Sequence, residues 1–160
     1  MALVQYFHAM TEGNWYDEAP LTYMLRKARG AYADAVRDAM AAGGFEDLPR
    51  NGAYVLTGLL TTQLSLADLV EDLEVSKQAA SLLIDTLVLR GYLERATDSE
   101  DRRRMIVSLT ARGHATAEAV GEAITAVNDE LERHISAQEL AGLRAGLAAL
   151  METREHAHEH

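Results

Sequence analysis

From Leu21 the chain places Leu21, Met24, Ala28, Ala31, Ala35 and Met40 at helical intervals and stops at Gly43-Gly44. The spacing predicts one long helix, interrupted in propensity only by Gly30. "FEDLP" reads as a loop, and Pro49 suits the start of a second helix through about Leu60. The pattern then shortens. Ser65 is an N-cap with Asp68 three residues on, near the positive helix end, and Leu66, Leu69, Val70 and Leu73 make one apolar stripe. After a short break Ser76 is a second cap, and "KQAASLLIDTLVLRG" continues helically until Gly91 stops it. Two short serine-capped helices joined by a tight turn form a helix-turn-helix. Helical spacing on the second sends Ala79, Leu83 and Leu87 to the core, and Lys77, Gln78, Ser81, Leu82 and Asp85 outward.

Beyond Gly91 the segments "YLERAT" and "RMIVSL" are aromatic and β-branched, with polar "DSEDRR" between them, as in a hairpin. Leu93, Met105, Val107 and Leu109 are placed to cover the helices from one face. Helical periodicity returns from Thr110 to about His134. Ser136 and Glu139 then form a capping box that opens a last helix bearing Leu140, Leu143, Leu147 and Leu150, with Leu131 and Ile135 ahead of it. The fold class expected is mainly α with a small β-hairpin: a winged helix-turn-helix over 49–113, an N-terminal extension and dimerisation helix over 1–48, dimerisation helices over 114–155 and a tail over 156–160. The outer helices need something to pack on, and a second copy of the chain is the economical answer.

Composition narrows the class. With 160 residues, 48% hydrophobic and only 2 prolines, the chain can bury a core as a single unit. It has no cysteine, which excludes disulfides and thiolate chemistry and fits a reducing interior. No basic n-region opens the chain, and no apolar run approaches the roughly 20 residues of a membrane span. A soluble, cytoplasmic protein is expected. The net charge of −10 argues against indiscriminate nucleic-acid binding. Charge is uneven, however: residues 51–113 hold seven Lys and Arg against nine acids, and residues 114–160 only three against nine. If one part of the chain touches an anion, the middle is the candidate.

There, "DSEDRRRMIVSLTARG" (98–113) sets three arginines at the expected hairpin tip. With "GYLER" (91–95), Asp101-Arg102-Arg103, Val107-Ser108-Leu109-Thr110 and Gly113, the segment 59–113 resembles the winged-helix core of the MarR (multiple antibiotic resistance regulator) family. The resemblance implies a homodimeric, DNA-binding transcription regulator, in the reading adopted here a repressor on a pseudo-palindromic operator. It also implies release by a small aromatic or anionic effector. On that mapping Arg103 is the wing's main contact with the duplex. Arg102 and Arg104 either assist at phosphate or pair with Asp98, Glu100 and Asp101. The plainer account of "DSEDRRR" is a self-neutralised turn in solvent. In the second helix of the motif Lys77 suits phosphate or guanine, Gln78 adenine, and Ser81 either, while Ser76 is more a cap than a reader. Arg95 completes the DNA-binding candidates. The position of Leu82 is commonly arginine in the family; leucine here can meet a thymine methyl, or mark weaker DNA binding, or another partner.

Tyr23, Met24, Lys27 and Tyr54 fall on the helices that line the family's ligand cavity, an aromatic wall with a cation; ordinary packing is the plainer use of each. His156, His158 and His160 alternate in a tail with no ordered support, and His8, His114 and His134 lack partners at metal-site spacing, so no metal or cofactor is expected. No nucleophile elbow, phosphate loop or dinucleotide fingerprint is present, and Glu71-Asp72 and Asp129-Glu130 read as solvated charge. The chain reads as no enzyme. The competing reading is a winged-helix dimer of weak DNA affinity that binds a protein or senses a metabolite.

Overall fold

The computed structural model of the chain describes residues 14, 16–61, 70, 71, 73, 75–97 and 105–158. Along them run α1 (Leu21–Gly43), α2 (Gly52–Thr61), α3 (Lys77–Leu89), β1 (Leu93–Thr97), β2 (Met105–Leu109), α4 (Ala111–His134) and α5 (Ala137–His158). α1 ends where expected. Gly44 takes a left-handed φ of 71°, and the Phe45 amide donates back to the Met40 carbonyl at 2.8 Å. Such a terminus favours glycine because a Cβ is strained at that φ. α2 starts three residues later than Pro49 suggested. Asn51 sits at φ 66°, which interrupts helical geometry, so Pro49 belongs to a turn whose carbonyl accepts from the Gly52 amide at 2.8 Å.

Val55 and Leu56 of α2, Ile84 and Leu87 of α3, Tyr92 just before β1, Leu93 within it and Ala117 of α4 form the buried core. Val107 and Leu109 of β2 pack against it, as do Val70 and Leu73 from the described part of the first motif helix. Ser65, Leu66, Asp68 and Leu69 lie outside them. β1 and β2 pair antiparallel from Leu93↔Leu109 to Thr97↔Met105. α1 and α2 both pack along α4, and the Tyr32 hydroxyl donates to Asn128 Oδ1 at 2.7 Å.

One core assignment is corrected. Ala79 is exposed, and the buried line of α3 is Ala80, Ile84 and Leu87, with Leu83 half-buried beside it. An alanine pair gives no apolar contrast between positions 79 and 80. Ile84, four residues after Ala80 and three before Leu87, sets the face instead.

α5 opens on the capping box: the Ser136 amide donates to Glu139 Oε2 at 2.7 Å and the Glu139 amide to Ser136 Oγ at 3.3 Å. Hydrogen bonds from the Ser136 hydroxyl and amide hold the Glu139 carboxyl below its ordinary pKa. Apart from Leu140, every residue from Ala137 to Thr153 is exposed, Leu143, Leu147, Leu150 and Met151 included.

Candidate nucleic-acid interface

α3 is held by one face and offers the other. Ser76, in extended geometry, accepts the Ala79 amide on its Oγ at 3.2 Å, so its role as a cap is met. Lys77, Gln78, Ser81 and Leu82 follow at or near the helix N-terminus, all exposed. Arg95 of β1 reaches back to the same helix, with its guanidinium 2.5 Å from Asp85 Oδ1. Both partners are about half exposed, so the pair is worth at most about 1 kcal/mol and can be exchanged for another anion.

The helix is anchored at its C-terminal end by a cluster that periodicity does not reveal. The Tyr92 hydroxyl donates to Asp47 Oδ1 at 2.5 Å, in the loop between α1 and α2. Arg112 of α4 lies over the Tyr92 ring with its Cζ 4.2 Å from the centroid, and it bonds Asp47 Oδ1 at 2.7 Å and the Arg90 carbonyl at 2.6 Å. Arg90 donates to the Asp47 carbonyl. The Tyr92 hydrogen bond holds the Asp47 carboxyl below its usual range, and burial together with Asp47 pushes the Tyr92 phenol up to about 12. Thr110 caps α4 through the Gly113 amide at 3.0 Å and donates to the Gly91 carbonyl at 2.6 Å. A Cβ on Gly113 would sit 2.1 Å from the Tyr92 carbonyl oxygen, so only glycine lets α4 approach this closely. The loop before α2, the end of α3, the start of β1 and the start of α4 thus meet at one point. The sequence signals are present but mute: Asp47 stands in a plain loop, and Arg112 counts only as charge.

The other candidates divide. Arg102, Arg103 and Arg104 lie outside the described residues; the last described pair of the hairpin is Thr97↔Met105. Tyr23, Met24 and Lys27 line one apolar groove of about 690 Å³ between α1 and α5, together with Leu21, Leu143 and Leu147. Tyr54, on α2, is not among its lining residues. Arg26 lies 5.5 Å from the Tyr23 ring centroid. A second groove of about 620 Å³ between the end of α2 and α4 is edged by Glu118, Glu122 and Asp129, which disfavours an anion. His134 contacts Glu130 at 3.0 Å. Among the described residues no cluster of His, Asp and Glu could hold a metal ion, and no helix is long and apolar enough to cross a membrane.

Comparison with known proteins matches residues 46–104 to the MarR family. Among solved structures, MepR of S. aureus in its DNA complex is 20% identical, over 85% of this chain and 99% of its own, with a TM-score of 0.68. FabT of Streptococcus pneumoniae in complex with DNA is 18% identical over 84% of this chain and 94% of its own, at 0.69. MarR of E. coli in its apo form is 22% identical over 82% and 97%, at 0.56. The sequence matches no protein of curated function. Residues 46–104 are thus similar to the MarR family, and the chain around them has the winged-helix fold of these solved structures.

Proposed function

We propose that the protein is a homodimeric transcription regulator, a repressor, that grips a pseudo-palindromic operator with one α3 and one hairpin from each subunit. The observation that carries this reading is α3 itself: its Ile84–Leu87 face is buried, while Lys77, Gln78, Ser81 and Leu82 stand exposed at the capped end. That is how a helix is offered to a major groove. The MepR and FabT structures of this fold hold DNA, which supports the same use. The cytoplasm, where DNA is met, is the compartment this reading requires.

The face that one subunit leaves uncovered supports dimerisation. Leu21 and Leu25 of α1 and Leu143, Leu147, Leu150 and Met151 of α5 are all exposed. Contiguous apolar surface on that scale is costly in a monomer, and a second copy buries it. An aromatic acid seated against Tyr23 with its carboxylate on Lys27 would wedge between α1 and α5 and change the spacing of the two α3 helices. Benzoate is then expected to weaken DNA binding, and Lys27→Ala to remove that response.

Fluorescence anisotropy on the intergenic DNA beside the protein's own gene, at low and moderate salt, tests the main reading. Lys77→Ala and Arg103→Ala are each expected to weaken binding and to reduce the salt slope by about 0.9 for each phosphate no longer neutralised. Absence of binding at low salt contradicts it. That outcome would favour the protein-binding module, for which Leu89, 87% exposed at the end of α3, is the motivating residue.

A further inference from the structure

Leu82 is out of place by the logic of packing. The core takes Ala80, Ile84 and Leu87 from α3, with Leu83 at its edge, while Leu82 is 67% exposed. At that exposure it adds little to the stability of the subunit, and most of the favourable transfer of a leucine side chain out of water is forgone. Around it on the outward face stand four residues able to hydrogen-bond, Lys77, Gln78, Ser81 and Asp85, with the small Ala79 also exposed. Asp85 is held by Arg95, so its charge is turned to β1 and partly neutralised. Leu82 is therefore the one large apolar side chain exposed on the N-terminal half of α3, and donors and acceptors stand around it.

Base edges in the major groove have the same mixed character. Thymine alone carries a methyl group there, beside its O4 acceptor and the N6 and N7 of its adenine partner. Resting on the DNA-binding reading above, we propose that Leu82 is a specificity-determining residue that packs on the C5-methyl of a thymine in each half-site. A protein-docking stripe would need apolar continuity. Leu89 lies about 10 Å further along the helix axis, with Asp85 between, so the stripe is broken.

The test removes the methyl group and nothing else. Duplexes recovered by the wild-type protein from a random pool are remade with uracil in place of thymine, one position per half-site at a time. At one symmetry-related position uracil is expected to weaken wild-type binding about fourfold per half-site, the usual effect of one unburied methyl. Leu82→Ala, whose melting temperature should be unchanged, is expected to bind the thymine and uracil duplexes equally. Leu89→Ala should keep the wild-type preference. Indifference of the wild type to uracil at every position, or a thymine preference retained by Leu82→Ala, would overturn the assignment while leaving DNA binding intact. Failure to recover any duplex at low salt would overturn the DNA reading itself, and the inference with it.

Discussion

Gly113 shows how one position can dictate a junction. With 2.1 Å between an added Cβ and the Tyr92 carbonyl, Gly113→Ala must push α4 away from β1. We expect a loss of roughly 3 kcal/mol, at the upper end for overpacking, read as a lowered thermal midpoint. Beside it, Tyr92 carries a pH signature. Its folded pKa, about 12, lies above the unfolded value of about 10, so its contribution is complete below pH 10 and is lost as pH rises through 12. Stability is therefore expected to fall across that window in alkaline unfolding, and Tyr92→Phe to flatten the fall. Asp47 works in the opposite sense: its lowered pKa gives stability that disappears as the solution is acidified through it. Gly113 is legible in the sequence as part of a family motif. The Asp47–Tyr92–Arg112 cluster is not, because its members are up to 65 residues apart and no period connects them.

At the scale of elements the caps are the most readable feature. Ser76, Thr110 and Ser136 all begin helices, because a side-chain oxygen just ahead of the helix satisfies an amide that the helix leaves unpaired. Ser76→Ala should cost about 1 kcal/mol by chemical denaturation and also loosen the presentation of Lys77 and Gln78. The aromatic and β-branched segments that become β1 and β2, and the stop at Gly91, are equally plain. Two element details are harder to read. Spacing alone places the buried face of α3 one residue early because adjacent alanines look alike, and it starts α2 early because the left-handed Asn51 leaves no mark in a hydropathy pattern.

The whole molecule is a small core extended by long helices that leave Leu21 and Leu25 of α1 and Leu143, Leu147, Leu150 and Met151 of α5 exposed. A sequence can announce that Leu143, Leu147 and Leu150 form a stripe, but not what covers it; the proposed cover is a second copy of the chain. Leu147→Glu is expected to shift the protein from dimer to monomer in analytical ultracentrifugation and to abolish DNA binding with it. Together the proposed dimer and the exposed face of α3 require that two capped helices enter successive major grooves on one side of a duplex. Hydroxyl-radical footprinting of the bound duplex tests that claim most directly. The account predicts two symmetry-related protected segments centred about 10 base pairs apart, each spanning the thymine that responds to Leu82. A single protected segment, or uniform cleavage at low salt, would contradict it.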